Sequence, residues 1–193
     1  AIEGNASPNT TVTSCSELAL NLALAGGGTV DFNIGADCTI PFTFEKIIGT
    51  NTTIQNTSAF NVYFDGGNQV GLFTVNNDAS LTLDNLRLTN AYSLQGGAVF
   101  NDESTLNVID SIFANNETLR NDFLIGNLGQ GGAIYSFGEA TNIITGTDFS
   151  NNRASAGGAI GFESRWDNTT AQYYHGDAVI TNSTFNDNEA DGN

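Results

Sequence analysis

The side chains best suited to chemistry in this 193-residue chain gather in one stretch, roughly Glu163 to Gly176, which holds Arg165, Trp166, Asp167, Tyr173, Tyr174 and the sole histidine, His175. Aromatic rings beside carboxylates and amides suit stacking on sugar faces. The same rings equally suit packing the segment onto the body beneath it. A second stretch, roughly Glu117 to Gln130, carries Leu119, Arg120, Phe123, Leu124, Ile125 and Leu128. That apolar load either folds over the body or forms a contact surface.

The charge balance excludes several partners. The net charge is −16 and Lys46 is the only lysine. Nucleic-acid binding needs clustered cations to neutralise phosphates, so it is not expected. Acidic clusters at Asp84, Asp102-Glu103 and Asp187-Glu189-Asp191 would be the donors for calcium if it bound, but they lack a nonapeptide-type ligand pattern. The bland reading is a soluble acidic surface that repels sheet edges. Glycoside hydrolysis needs two suitably placed carboxylates, and none stands out from this background. A lyase needs cations at the sugar acid, yet Arg87, Arg120, Arg153 and Arg165 are scattered. The Gly26-Gly27-Gly28 run follows an apparent helix instead of opening one, which speaks against phosphate binding. The expectation is a non-enzymatic protein without a cofactor, a polysaccharide-active enzyme being the third reading.

Whatever these segments do, a repeat must position them. Gly96-Gly97-Ala98-Val99, Gly131-Gly132-Ala133-Ile134 and Gly157-Gly158-Ala159-Ile160 alternate with Phe113-Ala114-Asn115-Asn116, Phe149-Ser150-Asn151-Asn152 and Phe185-Asn186-Asp187-Asn188. Phe113, Phe149 and Phe185 are 36 residues apart, but Phe149 reaches Gly157 in 8 residues and Phe113 reaches Gly131 in 18. Removing the excess leaves a period of about 25, the length of one solenoid coil. Leu81, Leu83 and Leu88 do sit 25 residues before Leu106, Val108 and Phe113. Apolar and polar residues alternate within each copy, the mark of a strand with one buried face. Stacked strands place Phe113, Phe149 and Phe185 in one core ladder, and asparagines at successive corners in an amide ladder. The small glycines let neighbouring coils approach closely. The expected fold is all-β, a single-stranded parallel β-solenoid filling one domain, residues 1–193, with insertions near 117–130 and 163–176.

The paired Gly-Gly-Ala-Ile and Phe-x-x-Asn units resemble the repeats of chlamydial polymorphic outer-membrane proteins and related bacterial and archaeal surface proteins. Strict matches cover roughly residues 79–190, and Phe64-Asp65-Gly66-Gly67-Asn68 resembles an earlier coil. The resemblance implies a right-handed parallel β-helix in a secreted or surface-exposed passenger.

The first third reads as a cap. An extended segment, residues 1–13, precedes a capping helix within 14–28, which Ser14 or Ser16 would N-cap and Gly26-Gly27-Gly28 would end. Its apolar run is far shorter than the roughly 20 residues that span a membrane. Strands are expected at Val30–Ile34 and Ile40–Phe44, with Pro41 at a strand start or exposed edge. Cys15 and Cys38 are either a disulfide pinning the cap to the first coil or two buried thiols. Ala1 in place of Met reads as a mature product or an excised fragment. Seven Asn-x-Ser/Thr sequons occur, at Asn5, Asn9, Asn51, Asn56, Asn116, Asn168 and Asn182. Asn168, in an insertion, is the best acceptor. The leading expectation is a secreted or cell-surface structural protein that associates head to tail, Ala1–Thr13 pairing with the last coil of a neighbour. An adhesin-like module that binds glycans or a cell surface is the alternative.

Overall fold

In a computed structural model, residues 9–119 and 129–191 are described. The chain is predominantly β with one helix, and four of its sheets are parallel. The longest stacks Asn9–Val12, Gly28–Phe32, Thr52–Asn56, Ser80–Asp84, Thr105–Ile109, Thr141–Thr145 and Asp177–Thr181, in that order. A second stacks Cys38–Pro41, Val62–Asp65, Arg87–Thr89, Ile112–Ala114, Asp148–Ser150 and Thr184–Asn186. A third stacks Lys46–Ile48, Phe73–Val75, Val99–Asp102, Ile134–Phe137 and Ile160–Glu163. The fourth is a corner sheet of two-residue strands, Tyr92–Ser93, Glu117–Thr118, Arg153–Ala154 and Glu189–Ala190. From Ser80 onward the chain visits the long, second, corner and third sheets in turn and returns to the long one.

The register is the one that the repeat requires. Leu106 lies opposite Leu81 and Val108 opposite Leu83. Phe113 lies opposite Leu88 on one side and Phe149 on the other. Phe149 stacks on Phe113 at 5.1 Å between ring centroids and on Phe185 at 4.8 Å. Alternate residues point inward along each strand, so one continuous apolar cluster runs from Val12 to Ala159. After each core ring the chain turns on a left-handed residue, Asn115, Asn151 or Asp187, a conformation that short polar side chains tolerate. The glycine pairs are steric in purpose. A Cβ on Gly97 would lie 2.2 Å from the Gly132 carbonyl oxygen of the neighbouring circuit.

The helix runs over Glu17–Leu24, with Ser16 accepting from the Ala19 amide at 3.2 Å as N-cap. It buries Leu20 and Ala23 while Leu18 and Leu22 stay exposed. Cys15 and Cys38 form a disulfide, tying the residue two before the helix to the first strand of the second sheet. The first strands start two residues earlier than their alternation suggests, at Gly28–Phe32 and Cys38–Pro41 in place of Val30–Ile34 and Ile40–Phe44. They end at Phe32 and Pro41 because the ladder stops where the chain bends, although Ile34 and Phe42 remain buried. Phe44 faces outward, with the Lys46 ammonium 3.5 Å from its ring centre. Pro41 ends an edge strand, where its missing N–H is harmless.

Both insertions are narrower than their sequence boundaries. Glu117 and Thr118 belong to the corner sheet, and Gln130 bridges Gln95 and Ala156. Phe123, Leu124 and Ile125 lie outside the described residues. Glu163 completes a strand of the third sheet, and Gly176 lies so close to the body that a Cβ there would be 2.2 Å from the Ala140 carbonyl oxygen. At the other extreme of the long sheet, Asn9–Val12 is not a loose arm. It pairs in parallel, residue for residue, with Thr29 to Phe32 and forms the outermost strand.

Candidate functional site

The second insertion is an antiparallel hairpin, Arg165–Asp167 against Gln172–Tyr174. Its turn is set by Asp167, whose Oδ1 accepts from the amides of Thr169 at 2.7 Å and Thr170 at 3.3 Å. Those backbone bonds hold the Asp167 carboxyl below the usual range. Two-residue alternation then separates the faces. Trp166 lies directly opposite Tyr173, with ring centroids 4.7 Å apart, and His175 continues the row at 6.2 Å from Tyr173. Arg165 lies opposite Tyr174, its guanidinium 4.8 Å from that ring.

Arg165 is the anchor. It pairs with Glu103 and reaches Glu139 at 3.9 Å, both on the body. Its role is therefore to hold the hairpin, and the row of Trp166 and Tyr173 is left in solvent, 45% and 61% exposed. The indole Nε1–H donates to Asn168 Oδ1 at 2.9 Å.

Where the hairpin leaves the body, a cleft of about 210 Å³ is lined by Ser136, Phe162, Glu163, Ser164 and His175, among others. Ser164 Oγ and His175 Nδ1 are 2.6 Å apart. Glu163 accepts from the buried Tyr135 hydroxyl at 2.6 Å and from Gln130 Nε2 at 3.0 Å. Burial, then the Glu163 carboxylate, pushes the Tyr135 phenol far up, so it remains a donor. Ser164, Glu163 and Tyr135 carry no motif that the sequence could have flagged. Their meeting depends on a circuit of 28 residues between Tyr135 and Glu163.

Three members of the acidic clusters pair with cations. Glu103 holds Arg165, while Asp191 and Glu189 hold Arg153 at 2.5 and 3.3 Å. Asp84 is raised by burial and by the neighbouring charge of Asp110. Among the described residues no three metal-ligating side chains converge.

The sequons separate by burial. Asn116 and Asn56 are buried, and their Nδ2 groups are committed to Leu88 O and Asn152 Oδ1, and to Phe60 O. Asn9, Asn51, Asn168 and Asn182 are exposed, and Asn5 lies outside the described residues. No helix among the described residues is long and apolar enough to cross a membrane. No family profile, curated protein or solved structure matches the chain.

Proposed function

We propose that this is a secreted or cell-surface structural protein, one right-handed parallel β-helix with repeats of the polymorphic outer-membrane protein type, that associates head to tail. The cyclic visiting of the sheets and the paired motifs at equivalent positions support the coil. The observation that carries the association is the rung Asp177–Thr181, Thr184–Asn186 and Glu189–Ala190. Among the described residues it is paired on one side only, and it leaves Ile180 and Phe185, which continue the buried rows of Ile144 and Phe149, exposed. Asn152 gives one Nδ2 hydrogen to Phe113 O and the other to Asn188 Oδ1, whereas Asn188 donates to Phe149 O and has no following ladder oxygen among the described residues. A further strand completes both rows.

The strand that answers it is Asn9–Val12 of a second copy. This strand is the other extreme of the same long sheet, paired on one side with its own chain. Parallel pairing of the two edges continues the sheet without change of direction. The contact does not close on itself, so repetition yields a filament. Electron microscopy and sedimentation of the intact chain are the test. Filaments or a ladder of oligomers, abolished by Ile180→Asp with Phe185→Asp while circular dichroism is unchanged, are expected. A monodisperse monomer of the intact chain overturns the proposal.

A second reading, an adhesin-like module, is favoured by the exposed Trp166–Tyr173 pair. Glycan-array binding lost in Trp166→Ala, in preparations free of filaments, is its signature.

A further inference from the structure

Two large rings are held in water by a hairpin, and one of them is hydrogen-bonded to a sequon asparagine. We propose that Asn168 is an N-linked glycan attachment site and that Trp166 and Tyr173 form the seat of its first sugar. The inference uses the ring pair of the second reading above but takes the sugar from the chain's own asparagine, and it stands whether or not the chain self-associates.

The geometry begins with the turn. Asp167 pins the amides of Thr169 and Thr170, which leaves Asn168 and Thr170 exposed. A sequon is useful only where both the asparagine and the hydroxyl at the second following position are accessible. Trp166 then fixes the Asn168 carboxamide through its oxygen at 2.9 Å. The nitrogen shares that amide plane, so a substituent on Nδ2 emerges within reach of the indole. Tyr173 continues the surface at 4.7 Å. The C–H face of a pyranose packs on such rings, and burying their exposed area is favourable.

The transfer is balanced without help from this chain. Nδ2 attacks C1 of a saccharide carried on a lipid diphosphate, the N–C1 bond forms, and the C1–O bond to the diphosphate breaks. Nδ2 loses one proton and the diphosphate leaves with its lipid, under the producing cell's transferase. Oδ1 is untouched, so the bond from Trp166 survives modification.

Other sequons lack this support. Asn116 and Asn56 have committed Nδ2 groups. Asn51 accepts at Oδ1 from the Ser80 backbone amide at 2.9 Å, where Asn168 accepts from an indole.

The test is to secrete the whole chain from a eukaryotic cell line and map occupancy by mass spectrometry of its peptides. Asn168 is expected to be occupied in the folded chain, and Thr170→Ala to abolish that mass shift without affecting the other sequons. After trimming to one N-acetylglucosamine, its proton resonances are expected upfield of their positions in the urea-unfolded chain. Trp166→Ala should remove most of that ring-current shift, and Tm of the trimmed protein should exceed that of Asn168→Gln by about 2–4 °C. An unmodified Asn168 in folded, secreted protein overturns the site. Modification with no upfield shift in the wild-type chain overturns the seat, a result that does not depend on the Trp166 variant folding.

Discussion

Asn116 and Asn152 share one oxygen: the Oδ1 of Asn152 accepts both the backbone amide of Asn116 at 3.0 Å and its side-chain Nδ2 at 2.9 Å. Asn152 repeats the arrangement on Asn188, and its own Nδ2 also satisfies Phe113 O at 3.0 Å. Asn116 and Asn152 are both fully buried. Asn152 therefore answers polar groups on both neighbouring circuits.

Replacing this middle member should show it. Asn152→Leu orphans the Asn116 donors and the Phe113 carbonyl in a dry site, at about 1–3 kcal/mol for each unsatisfied buried group. A total loss of at least about 3 kcal/mol in urea unfolding is expected on the same scale. A change below about 1 kcal/mol would mean that water replaces the ladder.

The ring stack predicts a contrast within one row. Phe149 is wholly buried between two rings, so Phe149→Ala should cost about 3–5 kcal/mol. Phe185 is 47% exposed, and Phe185→Ala should cost less than half as much in dilute protein. Equal costs would show that the outer face of Phe185 is covered in solution.

Glycine offers a second contrast. A Cβ at Gly132 would meet the Gly158 carbonyl oxygen at 2.1 Å, whereas one at Gly35 meets nothing within 4 Å. Gly132→Ala is expected to destabilise by at least about 1–3 kcal/mol through forced separation of circuits, with Gly35→Ala near neutral. Thermal unfolding of the two variants side by side decides it.

The helix start carries an acid-sensitive contact. Burial alone would raise the Glu17 carboxyl, but Lys46 and two bonds from Thr43, at 2.8 and 2.7 Å, bring it down to about 2. A depressed carboxylate stabilises the fold fully above its ordinary value of 4.5 and loses that contribution as pH falls toward 2. Hydrogen exchange at the Thr43 amide, corrected for its intrinsic pH dependence, should therefore lose protection over that window and keep it between about pH 5 and 7. Glu17→Ala leaves the buried Lys46 ammonium without its counter-charge, and about 3–5 kcal/mol of destabilisation is expected at neutral pH.

The repeat period is legible in the sequence because Leu88, Phe113, Phe149 and Phe185 occupy one geometric position and their neighbours alternate. The disulfide is legible as one of two alternatives. Three features are not. The corner sheet is built of two-residue strands, too short for any period to show. The outward turn of Phe44 follows from Lys46 and Glu17, and the ion pair spans 29 residues. The Ser164–His175 contact and the Trp166–Asn168 bond require knowing that residues 165–174 double back, and the turn that does so is directed by the Asp167 side chain, with Ala171 rather than a glycine at positive φ.

The hairpin and the stretch before Gly129 enlarge successive circuits at different points, yet Phe113, Phe149 and Phe185 remain in register, as do Asn116, Asn152 and Asn188. Dimension along the stack is thus set by the ladders alone, and the length of any one circuit is free. The molecule behaves as a ruler with removable fittings. Foreign peptides spliced between Asn168 and Ala171 would be displayed at a fixed height, and their spacing on a long assembly would be dictated by the scaffold, whatever their own sequence.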